Sequence, residues 1–246
     1  MGWLGTLAVA GAALAMSGLA AGAADMPRYP SSPPPPQPEY RPVSIDLSTG
    51  WYLRGDIGAY WGQLTGAQSA APFPDPTDSS LGNGMTGGLG VGYKSNWLRT
   101  DVTIDYAAPA KYQGTVATAG DTTAKIQATT ALVNGYLDLG TWYRVSPYIG
   151  AGAGVAYVRA TDYVGPAPPL SGDTSNKQWN FAFAGMAGIA FAISHNLMMD
   201  AGYRYLNIGD VKTGSDAFGA MTFKNVFAHE VRVGLRWSFD EPRYAH

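Results

Sequence analysis

Residues 51–61 read Trp51-Tyr-Leu-Arg-Gly-Asp-Ile-Gly-Ala-Tyr-Trp61 and place an arginine and an aspartate inside an otherwise apolar segment. The odd positions carry Trp, Leu, Gly, Ile, Ala and Trp, and the even positions carry Tyr, Arg, Asp, Gly and Tyr. Successive side chains of a β-strand point to opposite faces. This period of two therefore predicts a strand with one apolar and one charged face.

The same alternation recurs along the chain and predicts eight strands. They cover approximately residues 50–62, 85–94, 97–107, 126–139, 147–159, 179–192, 197–207 and 227–239. Long connections at 63–84, 108–125, 160–178 and 208–226 alternate with short ones at 95–96, 140–146 and 194–196. Outer-membrane barrels show this asymmetry, with short periplasmic turns and longer extracellular loops. We therefore predict an all-β fold, an eight-stranded antiparallel up-and-down transmembrane β-barrel over residues 50–239.

The strands of a soluble barrel of the lipocalin type also alternate apolar and polar side chains, but with the apolar face inward. The aromatic residues indicate instead that the apolar face points outward to lipid, because they cluster at the predicted strand ends. Trp51 and Trp61 stand roughly 25 Å apart along the membrane normal, at about 3.3 Å per residue and a tilt near 40°. This distance is the height of the apolar band of such barrels. The predicted membrane-interface aromatics are Trp51, Trp61, Tyr93, Trp97, Tyr157, Trp179, Tyr205, Trp237 and Phe239.

Glycines on the charged face give a second reason to place that face inside. Gly88, Gly90 and Gly92 alternate in one predicted strand, as do Gly150 and Gly154 with the glycine between them in another. Interior glycines weaken a strand, so their repetition at one parity indicates a steric demand. The narrow interior of an eight-stranded barrel supplies that demand. The final strand also alternates apolar residues and ends on Phe239, as a lipid-facing strand would.

The charged side chains of the strands then converge on the lumen. A buried charge without a partner is costly, so both signs together predict paired, hydrogen-bonded networks that close the barrel. Arg54-Gly-Asp56 is also the tripeptide of cell adhesion, but strand alternation predicts that both charges lie inside. The predicted lumen network comprises Arg54, Asp56, Arg99, Asp101, Asp105, Asp138, Asp200, Arg204, Glu230, Arg232 and Arg236.

The amino-terminal residues predict export. Residues 1–24 are small, apolar and uncharged and end in small residues suited to signal peptidase, which predicts a cleaved signal peptide. The alternative is an amino-terminal membrane helix. Residues 25–49 are proline-rich and predict an extended periplasmic segment.

A net charge of -2 argues against nucleic acid as a partner, and only 14% of residues are charged, which is low for a surface that faces water.

Several segments together resemble the OmpA-like, opacity-type outer-membrane β-barrel proteins of the alphaproteobacterial surface-antigen type. They are LRGDIGAYWG, WLRTDVTIDYA, NGYLDLG, PYIGAGAGVAYV, MDAGYRYLNIGD and HEVRVGLRWSF. The resemblance implies a Gram-negative outer-membrane location, with lipid, lipopolysaccharide and the outer-membrane assembly machinery as partners. Such proteins usually end on a phenylalanine that this machinery recognises, whereas residues 240–246, DEPRYAH, follow Phe239 as a short extension.

Other motifs do not predict an enzyme. Gly82-Asn-Gly-Met-Thr-Gly87 has the spacing of a dinucleotide fingerprint but lacks the strand before it and the helix after it. His229 is the one enzymatic candidate, since some outer-membrane barrels modify lipid A near the outer interface. Its neighbours lack the nucleophile that such catalysis needs. His195 falls in a short turn and His246 at the chain end. We expect no catalytic, metal or cofactor site.

The leading functional expectation is a monomeric barrel with a structural role in the envelope that displays antigenic loops. One alternative is a narrow porin-like channel, although eight strands leave a lumen only wide enough for side chains. The other is an adhesin that contacts a host or phage through loops such as 69–80 and 161–177. These loops are rich in Pro, Gly, Ser, Thr and Asp.

Overall fold

The computed structural model describes residues 49–69, 74–116, 120–164, 175–216 and 219–239. The predicted signal peptide, the proline-rich segment up to residue 48 and the extension at 240–246 lie outside these ranges. In the described part every regular element is a strand. The strands are β1 (Gly50–Gln63), β2 (Gly66–Gln68), β3 (Thr77–Leu81), β4 (Asn83–Ser95), β5 (Leu98–Val116), β6 (Gly120–Asp138), β7 (Val145–Val164), β8 (Asn176–Ala192), β9 (Leu197–Asp216) and β10 (Gly219–Ser238).

Eight of the strands form a closed antiparallel ring, which confirms the predicted fold class. The order around the ring is β1-β4-β5-β6-β7-β8-β9-β10, and β10 pairs with β1 from Tyr52↔Ser238 to Gln63↔Phe227. Each long strand pairs with its neighbour in sequence, apart from the closure. Closure removes the unpaired edges that an open sheet would expose. No helix long and apolar enough to cross a membrane occurs among the described residues.

The two ends of the barrel differ. Short turns after β4, β6 and β8, together with the first and last residues of the ring, lie at one end, which we call the turn end. The opposite end, which we call the hairpin end, carries the extended β5–β6 and β9–β10 hairpins and the tips of β1, β4, β7 and β8. β2 pairs with β10 and β3 pairs with β5 at the hairpin end.

The predicted long connections at 108–125 and 208–226 are wrong, because the structure continues them as strands. β5 runs to Val116, β6 starts at Gly120, β9 runs to Asp216 and β10 starts at Gly219. Bulges explain the error. The register shifts between Ala107 and Ala110 in β5, and again where β9 passes Gly209, whose φ is +71°. A bulge adds a residue and reverses which parity points inward, so strict alternation ends there while the strand does not.

Candidate functional site

Among the described residues, twelve charged side chains fill the barrel interior between the two ends. None has a side chain more than 14% exposed, and all belong to strands of the ring. Six are cationic and six are anionic, so the interior is neutral by count. They are Arg54, Lys94, Arg99, Arg204, Arg232 and Arg236, with Asp56, Asp101, Asp105, Asp138, Asp200 and Glu230.

Asp105 joins opposite walls of the barrel. It lies on β5, and its Oδ2 accepts a hydrogen bond from Nη1 of Arg204 on β9 at 2.9 Å. Arg232 on β10 donates to the other oxygen of Asp105 and to Asp56 on β1. Arg204 also donates from Nε to Glu230 at 2.7 Å. β5 and β9 are four places apart in a ring of eight, so the contact between Asp105 and Arg204 crosses the full width of the lumen.

The arginine and aspartate of the first strand belong to a second part of the network. Arg54 donates to Asp56 at 3.1 Å, to Asp101 at 3.1 Å and to the hydroxyl of Tyr136 at 2.7 Å. Asn134 donates to the other oxygen of Asp101 at 2.7 Å. Both charges of the Arg54-Gly-Asp56 tripeptide therefore point into the lumen, away from any surface that a cell-adhesion receptor reaches.

The turn end carries a third group, built around Arg99 and Asp138. Arg99 Nε donates to Asp138 at 2.8 Å, and Lys94 donates to the same carboxylate at 2.9 Å. The Arg99 guanidinium lies 4.8 Å from the ring centres of both Tyr136 and Tyr148, a distance at which cation–π attraction operates.

Arg236 and Asp200 complete the charged set at the turn end, with Arg236 Nη2 3.4 Å from Asp200 Oδ1. Sequence reasoning missed Lys94, although its parity matches that of Gly90 and Gly92 on the same strand and would have found it. It also missed Tyr136, Tyr148 and Asn134, which are buried in the lumen. All members of the predicted lumen network lie inside the barrel.

A cavity of about 30 Å³ lies among these side chains, lined by Arg54, Asp56, Asp105, Arg204 and Arg232 among others. A water molecule needs about 10–15 Å³ of such space, so the cavity has room for about two. This volume is far below that of a continuous water-filled channel.

An apolar core fills the barrel at the hairpin end, and several of its members lie within 108–125 and 208–226, where the sequence analysis predicts loops. Its centre is the ring pair of Tyr112 on β5 and Phe223 on β10, with centroids 4.4 Å apart and both side chains fully buried. The core also includes Ala67, Ala124, Ile126, Leu132, Ala156, Val158, Ala182, Ala184, Leu206, Ile208, Val211, Met221 and Val226. Beyond the bulges, apolar residues such as Tyr112 and Val211 point inward. The apolar core therefore fills the interior as a second layer in addition to the charged network.

The apolar core makes a stability prediction. Phe223→Ala removes a fully buried ring, a change that costs about 3–5 kcal/mol in a packed core, and we expect the hairpin end to open locally. Limited proteolysis should then cut faster within 208–226, while the boiled and unboiled protein still migrate differently on a gel. Tyr143→Ala, at a side chain that is 94% exposed in a short turn, serves as the control. Equal cleavage of both variants would contradict the packing role of Phe223.

The outward-facing aromatic residues form two belts. Trp51 and Tyr93 pair at the turn end with ring centroids 5.5 Å apart, and Tyr157 and Trp179 pair towards the hairpin end at 5.1 Å. Between the belts the outward side chains are apolar, as at Ile57, which is 66% exposed. Of the other predicted interface aromatics, Trp97, Trp237 and Phe239 lie at the turn end, and Trp61 and Tyr205 lie towards the hairpin end.

His229 lies on the outer surface within a group of rings. Its Nδ1 is 2.5 Å from the hydroxyl of Tyr203, and the rings of Tyr205 and Phe227 both lie 5.7 Å away. This environment supplies aromatic contacts and one hydroxyl partner. His195 lies in the short turn between β8 and β9. In the described ranges no three His, Cys, Asp or Glu side chains form a group suited to a metal ion.

Comparisons with known proteins identify the class of barrel. A family model described as "Outer membrane protein beta-barrel domain" matches residues 11–239. An uncharacterised Brucella abortus protein is 32% identical over 255 residues, covering 82% of this chain and 89% of its own. A Rickettsia conorii protein named as a candidate adhesin is 26% identical, covering 79% of this chain and 84% of its own. The crystal structure of the outer membrane protein OprG from Pseudomonas aeruginosa is similar in fold, with a TM-score of 0.52 and 16% identity over 78% of this chain and 97% of its own.

Proposed function

Since this chain belongs to the outer membrane β-barrel protein family, we propose that it is a closed anchor in the Gram-negative outer membrane that contributes to envelope integrity and displays surface antigens. The turn end then faces the periplasm and the hairpin end faces the exterior, as in barrels of this type. The protein inserts as a monomer with the help of the outer-membrane assembly machinery, and its two aromatic belts lie at the membrane interfaces.

One observation carries this proposal: Asp105 holds Arg204 and Arg232 across the width of the lumen. An ion that crosses the barrel has to break these buried pairs and then pass the apolar core around Tyr112 and Phe223. Buried paired charges separate at a cost of several kcal/mol. Neither layer leaves room for a hydrated ion, so the geometry favours anchoring over transport.

The closed lumen makes a prediction for electrical recording. In a planar bilayer the wild-type protein should give no steady conductance, because the charged network and the apolar core both block the path. Arg54→Ala removes three hydrogen bonds of the network and should produce at most brief, small openings, because the apolar core remains. A large steady wild-type conductance that is unchanged by Arg54→Ala would favour the narrow-channel alternative and refute the anchor proposal.

A second candidate function is recognition of a host or phage surface by the hairpin end. Two observations favour it. The described strands of the β5–β6 and β9–β10 hairpins pair further with β3 and β2, so these strands present a surface of β-structure. The Rickettsia conorii relative is named as a candidate adhesin. Chimeras that exchange residues 108–126 with those of a non-adherent barrel, tested for binding of whole cells, separate this role from a passive one. Unchanged binding in every chimera would exclude recognition by that hairpin.

We propose no catalytic role for His229. Its contacts with Tyr203, Tyr205 and Phe227 are those of an interfacial aromatic group. Mass spectra of lipid A from cells that produce the wild type or His229→Ala should therefore be identical. A difference in acyl chains between the two would identify an enzyme.

A further inference from the structure

Four cationic side chains stand in a row on the outer wall of the barrel, one on each of the adjacent strands β5 to β8. Lys111 faces Lys125 in the β5–β6 register, and Arg159 faces Lys177 in the β7–β8 register. Gln127 faces Arg159 in the β6–β7 register, which places Arg159 diagonally beside Lys125. All four are exposed. We call these four residues the cation row.

The cation row is electrostatically unfavourable by itself. Like charges directly opposite each other on neighbouring strands destabilise a sheet, and the row contains two such pairs. Lys125 Nζ has one carboxylate partner, Asp162, at 2.8 Å. Within the described ranges no carboxylate oxygen lies within 4.0 Å of the charged groups of Lys111, Arg159 or Lys177. With Asp162 included, the row keeps a net charge of +3, which an external anion would neutralise.

The position of the cation row along the membrane normal indicates which external anion would neutralise it. Tyr157 and Trp179, the ring pair of the outer aromatic belt, face each other two residues closer to the turn end than Arg159 and Lys177. Two residues of a strand cover about 6.6 Å. Aromatic belts lie at the level of the lipid headgroups, so the cation row lies at or just outside that level. In the outer leaflet of this membrane the anionic groups at that depth are the phosphates of lipopolysaccharide.

We infer that the cation row on β5–β8 binds the phosphate groups of a lipopolysaccharide molecule, with its acyl chains against the apolar wall below Tyr157 and Trp179. The inference goes beyond the anchor function, because it assigns a specific lipid contact to one side of the barrel. The row presents several donors to one phosphorylated headgroup, and charge-assisted hydrogen bonds to phosphate are among the strong ones.

The wall on the other side of the hairpin end lacks this arrangement. There Lys224 Nζ lies 2.9 Å from Asp210 Oδ2. The backbone N–H of Asn225 and the Lys224 ammonium both donate to Asp210, and these contacts hold the pKa of the Asp210 carboxyl below its usual range. This pair is neutral as a unit, so Lys224, whose side chain is 41% exposed against 47% for Lys125, provides a control cation at the hairpin end.

The test titrates the folded full chain in phosphatidylcholine nanodiscs with fluorescent lipid A that carries both phosphates, or with its dephosphorylated form. The wild type should bind the bisphosphorylated lipid at least tenfold more tightly, and added salt should reduce the difference. Each cation near a membrane surface contributes about fivefold to binding. Arg159→Gln combined with Lys177→Gln should therefore lose at least tenfold in affinity, while Lys224→Gln should bind like the wild type. Heat-modifiable migration on a gel checks that each variant is folded.

Four outcomes would overturn the inference. The first is a wild type that does not distinguish the two lipids, and the second is a double variant that binds as tightly as the wild type. The third is a loss of affinity in Lys224→Gln as large as in the double variant, which would show a response to net charge alone. Finally, a soluble sulfated polysaccharide that displaces the lipid from the row at lower concentration than lipid A itself would assign these residues to an external polyanion.

Discussion

Asp105→Asn should lower the free energy of unfolding by about 3–5 kcal/mol, the usual cost of removing one partner from a buried ion pair. The substitution preserves the volume of the side chain and removes the β5 carboxylate that both Arg204 and Arg232 contact across the lumen, which leaves Glu230 as the carboxylate near both. Six buried cations then face five anions, and each guanidinium loses a charged partner. Urea unfolding in phospholipid vesicles, followed by tryptophan fluorescence, measures the loss.

The matched control for Asp105→Asn is Asp210→Asn. Asp210 pairs with Lys224 at 2.9 Å, but both side chains are more than 40% exposed, so the loss should stay below about 1 kcal/mol. Adding Arg204→Met to Asp105→Asn restores equal numbers of buried charges and should recover part of the stability. If Asp105→Asn costs no more than Asp210→Asn, the cross-lumen pairs do not stabilise the barrel.

Gly92→Val should prevent the barrel from closing. A Cβ atom at Gly92 would lie 2.5 Å from the carbonyl oxygen of Thr100, 2.5 Å from Cζ of Tyr52 and 2.6 Å from Cβ of Asp101. A backbone oxygen in a strand pair cannot move away without breaking the ladder, and interiors at native packing density have no space to give. We expect the variant to migrate as an unfolded chain whether or not the sample is boiled.

Gly135→Val is the control for Gly92→Val, since a Cβ atom at Gly135 would meet nothing within 4 Å. Gly135 lies on the outward parity of β6, and a β-branched residue suits a strand better than glycine does. This variant should fold and insert normally. If Gly92→Val gave the heat-modifiable migration of a closed barrel, the steric explanation of the inward glycines would be wrong.

Sequence reasoning predicted the fold class because lipid on one side and a narrow lumen on the other impose strict alternation. Trp51, Ile57 and Trp61 point outward and Tyr52, Asp56 and Tyr60 point inward, as the period of two in the first strand predicts. The same alternation predicts most of the charged side chains of the lumen. Lys94 obeys the same rule, since it ends the predicted strand 85–94 and shares its parity with Gly90 and Gly92, although the predicted network leaves it out.

The extended hairpins could not be predicted in the same way. The alternation of apolar and polar residues stops at the bulges near Ala107 and Gly209. A prediction based on a period of two therefore places the end of each strand at its bulge. Only after the parity shift do Tyr112, Val211 and Phe223 share one face of the interior. A single continuous alternation of period two therefore does not predict the apolar core at the hairpin end.

The sequence by itself determined the number of ring strands, the face of each strand that meets lipid and the charges that lie inside. These properties are local, because backbone geometry sends neighbouring side chains to opposite faces. Only the tertiary structure decided that Asp105 meets Arg204 from the opposite wall, that Arg99 lies between two tyrosine rings, and that four cations of different strands form a row. Those contacts depend on the register at which the ring closes and on the bulges that shift it, and both are set by the packing of the whole barrel.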